Sequence, residues 1–425
     1  MNKYKSKKII LIASALAIVN IFPIDNPHFY RATNFLTAFY EPRLAWPWLT
    51  SLDASVGFGS TRTGRNGQGV KVPLLDIYGT YNMQALGINV PGKDLTNPLD
   101  IILNQLALLA IDDKFAHLSF RGKFKIIEAN FSVSQNLLCG FFVQAHLPVR
   151  RLEVTDVSYV DLSPIDSAGP NINTPVWQSF LAQFPNILAR YGLSIAGQTT
   201  TGVGDLSVLA GWTNNYEETQ EIDYFDTTIR AGVLFPTGKK KNENQVFSIA
   251  TGYNGHYAVP ISLDFAVGWY DWFTIGTHIG AMTFFKKNHN LRVRTDCLQT
   301  GLIRLAQTNA SVKPGALWEA NAYMLADHVI CGLSFLAGYS FANKNEDLID
   351  PINSLFDMQI INGDPEFSGW KMHTINFLVD WDFSTYDRPG LPHIGFFYNI
   401  VVDGRRIFNT NVGGFEVGIN FACSF

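Results

Sequence analysis

Charged residues alternate with apolar ones along several strand-like stretches of this sequence. Carboxylates, histidines and arginines arranged in this way could act as acids and bases or line a polar passage. Because the side chains of a strand point alternately to its two faces, residues in one phase share a face. The polar phase of these stretches holds Arg121, Asp205, Asp226, Arg230, Asp264, His278, Glu319, Asp380, Asp382 and Glu416.

Catalytic chemistry is not what the pattern predicts. A hydrolase needs a nucleophile beside a base, but no Gly-x-Ser-x-Gly is present, and His278 and His373 fall on different faces by phase. Gly202 and Gly204 lack the third glycine and the following helix of a nucleotide-binding loop. The four cysteines have no Cys-x-x-Cys or Cys/His metal spacing. We therefore predict neither an enzyme nor a bound metal or cofactor.

The C-terminal stretch 414–425 shows the alternation most clearly. Its odd positions read Phe, Val, Ile, Phe, Cys, Phe, and its even positions read Gly, Glu, Gly, Asn, Ala, Ser. A soluble sheet can alternate too, but this pattern ends in Phe425. It resembles the closing strand of a bacterial outer-membrane β-barrel, which the barrel assembly machinery reads as a terminal signal.

The composition favours a membrane barrel over a soluble β-sandwich. Aromatic residues make up 13% of the 425 residues and charged residues only 16%, with 35 glycines. The mean hydropathy is only +0.06, and no apolar run after residue 22 is long enough for a membrane helix. A membrane barrel needs this mixture, because it has aromatic girdles at its edges, small residues in its lumen and few charges on its lipid face.

The N-terminus has the features of a secretory signal. Lysines at positions 3, 5, 7 and 8 precede an apolar core from Ile9 to Phe22 that is too short to span a bilayer. We predict a signal peptide over 1–22, ending between 17 and 25, with an uncleaved anchor as the alternative. Residues 23–50 would be a leader or periplasmic plug, and 51–425 the barrel. Removing the four lysines changes the net charge from −4 to −8, which argues against nucleic acid as a partner.

Short junctions and long connections alternate along the chain, as periplasmic turns and extracellular loops do in outer-membrane barrels. We predict an all-β transmembrane barrel of twelve antiparallel strands. A fourteen-strand count is the alternative, and it would add Val72–Asn82 and a strand near 28–45. The twelve-strand count places Val72–Asn82 in the first outer loop or in the lumen. The predicted strands cover 51–60, 115–133, 137–150, 202–216, 222–236, 257–270, 272–285, 315–326, 329–342, 370–385, 391–403 and 411–425.

Two segments of the long connections have helical patterns. Asn97 is a suitable N-cap for a helix that begins at Pro98 and runs through Leu109. Thr174-Pro175 opens a second segment with apolar residues three and four apart, which Pro185 should kink or end. We expect both to be short helices in extracellular loops.

Lipid determines which face is polar. An Arg or Lys facing lipid at the bilayer midplane costs about 2–4 kcal/mol, so the charged residues named above should face the lumen. They could neutralise one another there or line a passage that selects solutes. Phe142, Leu336 and Phe397 share the inward phase and would offer apolar contacts. Asn399 and Asp403 also fall in that phase.

Two short motifs resemble a known family. Thr201-Gly202-Val203-Gly204-Asp205-Leu206 opens one predicted strand, and Phe235-Pro236-Thr237-Gly238 closes the next. This pair resembles the outer-membrane family associated with meta-pathway phenol degradation, which is grouped with the FadL-like hydrocarbon transporters. The match covers roughly residues 200–285. The resemblance implies a barrel that admits aromatic or other hydrophobic compounds.

These observations together predict a protein of the outer membrane of a Gram-negative-type bacterium. Its expected function is a channel or passive transporter for small solutes, including hydrophobic or aromatic ones. The alternative is a structural or surface-interaction barrel that acts through its long loops, 151–201 and 343–369. Expected partners are outer-membrane lipid, small-molecule solutes and, through Phe425, the barrel assembly machinery.

Overall fold

The computed structural model describes residues 48–109, 114–165, 169–217, 222–270, 272–330, 332–383 and 392–422. The predicted signal peptide, most of the predicted leader and Phe425 lie outside these ranges. Within the described residues, no helix combines the length and apolarity needed to cross a bilayer.

Twelve long antiparallel strands form one closed barrel, which confirms the predicted count. Each strand pairs with its neighbours in sequence, and the last strand pairs with the first from Gly59–Val412 to Leu49–Ala422. The connections at one end are short, and those at the other end are long except for 406–411. The strands are β1 (Leu49–Thr61), β2 (His117–Asn136), β3 (Phe141–Asp161), β4 (Leu206–Glu217), β5 (Tyr224–Phe235), β6 (Ala258–Trp269), β7 (Phe273–Phe284), β8 (Leu317–Ile330), β9 (Leu333–Lys344), β10 (Trp370–Asp382), β11 (Pro392–Arg405) and β12 (Val412–Ala422).

The outer surface of the barrel is apolar and exposed. On β11 the side chains of Ile394, Phe396 and Tyr398 point outward, while His393, Gly395 and Phe397 between them are buried. Period-2 alternation produces this sorting along every strand. Phe415 is 61% exposed, and an exposed apolar band of this kind requires lipid around it.

Aromatic residues gather where the outer surface meets the short turns. Trp381 stacks on Phe383 with ring centroids 5.6 Å apart, and Trp272 lies 5.7 Å from Phe273. Aromatic side chains with one apolar and one polar end suit the bilayer–water interface. The structure therefore marks one edge of the membrane at this end of the barrel.

The long connections contain their own secondary structure. The described parts of these connections contain three α-helices: α1 (Pro98–Ala107), α2 (Pro175–Arg190) and α3 (Met358–Asn362). The short strands of these connections are Thr63–Arg65, Lys71–Pro73, Tyr81–Asn82, Gln198–Val203, Lys287–Val293, Ala306–Lys313, Leu348–Pro351 and Ile407–Phe408.

Both predicted helices form, but one is longer than predicted. The Asn97 side chain accepts a hydrogen bond from the Leu99 backbone N–H at 2.9 Å, so Asn97 caps α1 as expected. Pro185 does not end α2, which continues to Arg190. Ile187 and Leu188 follow the proline and are fully buried, so tertiary packing outweighs the lost backbone hydrogen bond.

The two helices and the first long connection share a hydrophobic core above the barrel. Trp177 stacks on Phe180 at 5.4 Å, and Phe180 packs on Phe184 at 5.3 Å. Each fully buried side chain of this size contributes about 1.5–3 kcal/mol. The segment 72–82 supplies Leu74, Tyr81 and others to this core and does not cross the membrane. The loops are therefore a folded cap, which we call the loop assembly.

Candidate functional site

The structure places the predicted lumen residues on the inner face of the wall, with one exception. Asp226, Arg230, Asp264, His278, Glu319, Asp380, Asp382 and Glu416 lie on inward positions of their strands, and Asp205 is fully buried directly before β4.

Arg121 is the exception, and its predicted placement is wrong. It is exposed and lies on the outward face of β2, in phase with Ile127 and Phe131. β2 has 20 residues, whereas a tilted strand crosses a bilayer with about 9–11. The outer half of β2 therefore rises beyond the lipid, where an outward charge carries no penalty.

The predicted inward position of Asp403 is also wrong. The pairing of β10 with β11 shifts between His373–Asp403 and Thr374–Val401, so β11 carries one extra residue there. A bulge of this kind reverses the phase of the residues beyond it. Asp403 consequently points outward and pairs with Arg65 at 3.3 Å.

Four inward residues on consecutive strands form what we call the β5–β8 cluster: Arg230, Asp264, His278 and Glu319. Arg230 donates to Asp264. His278 Nδ1 lies 2.6 Å from Asp264 Oδ1, and its Nε2 lies 3.2 Å from Glu319 Oε1. Carboxylates only accept hydrogen bonds, so both contacts form when both ring nitrogens carry protons. Two cationic groups then balance two carboxylates.

A second group on the inner wall, the β10–β1 cluster, consists of Asp53, Asp380, His393 and Glu416. His393 Nδ1 lies 3.2 Å from Asp380 Oδ1, and its Nε2 lies 3.1 Å from Asp53 Oδ1. Asp53 was not among the predicted residues, although its position between Leu52 and Ala54 placed it in the polar phase of the first strand. Here three carboxylates surround one imidazole.

An apolar patch lies on the inner face of β9, β10 and β11, and it shares β10 and β11 with the β10–β1 cluster. Leu336, Leu378 and Phe397 occupy neighbouring positions on β9, β10 and β11 and pack together. The Phe397 ring extends over Gly414 on the neighbouring strand β12 and Gly57 on the next strand, β1. A Cβ on Gly414 would lie 2.7 Å from this ring, and one on Gly57 would lie 3.2 Å from it. The glycines therefore leave the space that the ring fills.

The two family-motif segments contact each other directly. Asp205 Oδ1 accepts the Gly238 backbone N–H at 2.8 Å, and Oδ2 accepts the Tyr253 N–H at 2.5 Å. Thr237 Oγ1 donates to the Gly204 carbonyl at 2.6 Å and accepts from Leu206 N–H at 3.1 Å. The motifs thus join the break between the short strand Gln198–Val203 and β4 to the connection between β5 and β6.

The loop assembly contains buried charges of its own. Arg304 donates two hydrogen bonds to Asp364, at 2.7 and 2.8 Å, and both side chains are almost fully buried. Nearby, a cavity of about 40 Å³ is lined by residues that include Lys241, His289 and Arg292. This space holds about three water molecules.

The closed antiparallel wall, its apolar outer band and its polar inner face define a transmembrane β-barrel of the outer-membrane class. The folded cap of loops then lies on the extracellular side. The protein is accordingly an outer-membrane protein of the Gram-negative type.

Comparison with solved structures finds other outer-membrane barrels. An outer membrane channel from Pseudomonas putida F1 matches with a TM-score of 0.47 and 10% identity, over 88% of this chain and 96% of that chain. A mutant of the TodX monoaromatic hydrocarbon channel matches at 0.33 and 9%, over 91% and 92%. A FadL homologue from Pseudomonas aeruginosa matches at 0.25 and 12%, over 88% and 89%.

No family model matches the sequence, and no curated protein matches it either.

Proposed function

We propose that this barrel is a non-enzymatic channel or passive transporter for small solutes with hydrophobic or aromatic parts. The observation that carries the proposal is the inward-facing apolar patch of Leu336, Leu378 and Phe397, which pack together at 3–4% exposure on a wall that also carries charged residues. An aromatic solute that packs against these side chains removes its own apolar surface from water, which gains about 25 cal/mol per Å².

The balanced β5–β8 cluster on the same inner wall supports an uncharged solute. In the β5–β8 cluster, Arg230 and His278 face Asp264 and Glu319 and satisfy them directly. Such a cluster presents little net charge to a passing molecule. The Gly202–Asp205 and Pro236–Gly238 motifs agree with this class of solute through their resemblance to the hydrocarbon transporters.

Reconstituted barrels test the proposal directly. Flux into liposomes should be measured for a phenol-sized aromatic and for a sugar of similar size. We expect Phe397→Ala to reduce aromatic flux several-fold with little effect on the sugar. Phe396→Ala is the matched control, because Phe396 faces lipid one residue away. Absence of permeation by every solute class would remove the proposal.

The alternative function is a surface-interaction barrel, and the loop assembly favours it. The assembly has its own hydrophobic core, yet Ile352 is 64% exposed and Leu355 is 77% exposed on it. Replacing both with serine should weaken binding to a surface partner and leave permeability unchanged. If permeability alone responded, the surface function would be excluded.

A further inference from the structure

The β10–β1 cluster has more negative charge than its own residues balance. Asp53, Asp380 and Glu416 are three carboxylates, and His393 is the one basic residue among them. In the part of the chain that the structure describes, no lysine or arginine forms an ion pair with these carboxylates. Burying unbalanced charge is costly, so the cluster should take up either a proton or a metal cation.

The unsatisfied carboxylate of Glu416 shows which part of the cluster a cation would contact. It is only 5% exposed, and neither carboxylate oxygen has a hydrogen-bond partner among the described residues. Asp380 is 1% exposed, and its Oδ2 is also without a partner there. Buried carboxylate oxygens in proteins are normally hydrogen-bonded or bound to a cation.

The backbone leaves room for these side chains to approach one another. A Cβ on Gly395 would lie 2.7 Å from Glu416 Cγ and 3.0 Å from Asp380 Oδ1. One on Gly418 would lie 2.0 Å from His393 Nε2. Glycine at both positions therefore preserves the space around the three side chains.

We propose that Asp380, His393 and Glu416 form a binding site for a divalent transition-metal cation on the inner wall of the barrel. One ligand atom from each residue lies within 4.8 Å of the others. The ligands of a tetrahedral zinc ion are roughly 3.3 Å apart, so small side-chain rotations complete the site. One imidazole with two carboxylates is a ligand set that Zn²⁺ accepts, whereas Ca²⁺ prefers oxygen alone.

Asp53 has a positioning role in this site. Its carboxylate accepts from His393 Nε2, so Nδ1 on the other side of the ring faces Asp380. A metal-bound histidine commonly donates its second N–H to a carboxylate in this way. The cation replaces the Nδ1 proton, which is released on binding. Asp53 is also the most exposed member, at 11%, so a cation reaches the site past it.

The β5–β8 cluster provides a matched control within the same barrel. It also holds a histidine between two carboxylates, but Arg230 supplies the second positive charge. Zn²⁺ should therefore bind the β10–β1 cluster and leave the β5–β8 cluster alone. This site is independent of the proposed transport function, since binding needs no solute to pass.

The experiment measures Zn²⁺ bound to the full-length detergent-purified barrel after chelator treatment, by titration calorimetry and metal analysis. Cys139→Ser and Cys297→Ser remove, from the background, the two exposed free thiols among the described residues. We expect one Zn²⁺ per chain, with affinity at least tenfold higher than for Ca²⁺. Glu416→Gln and Asp380→Asn should each weaken binding by more than tenfold, while Glu319→Gln should not.

Two further readouts keep the proposal open to refutation if one variant fails to fold. Gly395→Ala keeps every ligand and places a methyl group in the site, so it should also lower the affinity. Zn²⁺ should raise the Tm of the parent barrel but not that of Glu416→Gln. Absence of stoichiometric Zn²⁺ in the parent, or equal binding by a folded Glu416→Gln barrel, would overturn the proposal.

Discussion

At the scale of single residues, Asp205 connects two parts of the chain that are far apart in sequence. Its carboxylate accepts backbone N–H groups from Gly238 and Tyr253, and the side chain is fully buried. Gly252 is essential to this arrangement, because a Cβ there would lie 2.4 Å from the Asp205 carboxylate. One side chain thereby fixes the connection between β5 and β6 against the wall.

Asp205→Ala should loosen that connection. It removes the acceptor of the buried Tyr253 N–H and of the partly buried Gly238 N–H, and a buried N–H that loses its acceptor costs about 1–3 kcal/mol. We expect the local free energy of unfolding to fall by about 2–5 kcal/mol. Trypsin should then cleave faster at Lys239, Lys240 or Lys241, which lie in this connection.

Asp403→Ala is the control for that measurement, because Asp403 is an exposed carboxylate in a surface ion pair. Its removal should change the cleavage rate little, since exposed pairs contribute about 0–1 kcal/mol. Equal cleavage of Asp205→Ala and the parent protein would show that the carboxylate does not hold the connection.

At the scale of elements, the loop assembly contains a buried histidine pair. The rings of His256 and His289 lie 4.6 Å apart, and His256 Nδ1 lies 3.0 Å from the Phe285 carbonyl oxygen. Burial lowers the pKa of His256 to about 3. Burial, reinforced by Lys240 and Lys287, lowers the pKa of His289 to about 4. Both rings are therefore neutral in the folded loops at neutral pH.

Acidification should consequently destabilise the loop assembly. Below the ordinary histidine pKa of about 6.5, the unfolded loops bind protons that the folded loops do not. The contribution of the two neutral histidines to the free energy of unfolding is fully present above pH about 6.5 and falls as the pH drops toward 4. Hydrogen exchange of strand Lys287–Val293, corrected for intrinsic rates, should show protection decreasing over that range.

His289→Gln should flatten this pH dependence, because it removes one of the two titrating rings. His328→Gln is the control, since His328 is exposed at the opposite end of the barrel. Hydrogen-exchange protection that stayed constant from pH 7 to 4 in the parent protein would show that protonation of these histidines does not destabilise the loop assembly.

The elements that lipid constrains are those that the sequence predicts well. A membrane strand must alternate every second residue, so all twelve strands and the inward phase of residues such as Glu319 and Glu416 follow from pattern alone. Beyond the lipid, charged side chains need not face inward, and Arg121 on the extension of β2 points outward. Local irregularity also escapes the pattern, as the extra residue in β11 shows at Asp403.

Long-range contacts were beyond prediction for a different reason. Asp53 and His393 are 340 positions apart, and only closure of the barrel brings them within 3.1 Å. The extension of α2 beyond Pro185 likewise depends on a core built from several loops. Neither depends on a local pattern, so strand periodicity or helix propensity cannot reveal it.

At the scale of the whole molecule, the barrel is held in a bilayer by its outer surface. Ile279 lies near the middle of β7 and is 51% exposed on that surface, between Leu263 of β6 and Ala320 of β8. Thr283 lies on the same face of the same strand, four residues closer to the loop end. The two positions differ mainly in depth, so they compare the bilayer interior with its edge.

Ile279→Arg should lower the free energy of unfolding in phospholipid by about 2–4 kcal/mol, and Thr283→Arg by about 0–1 kcal/mol. The difference arises because a guanidinium at the midplane loses its hydration, whereas one near the interface reaches water. Denaturant unfolding of the reconstituted barrel measures both values. Equal effects of the two arginines would mean that this surface does not face hydrocarbon, and the inward assignment of the β10–β1 cluster would have to be abandoned with it.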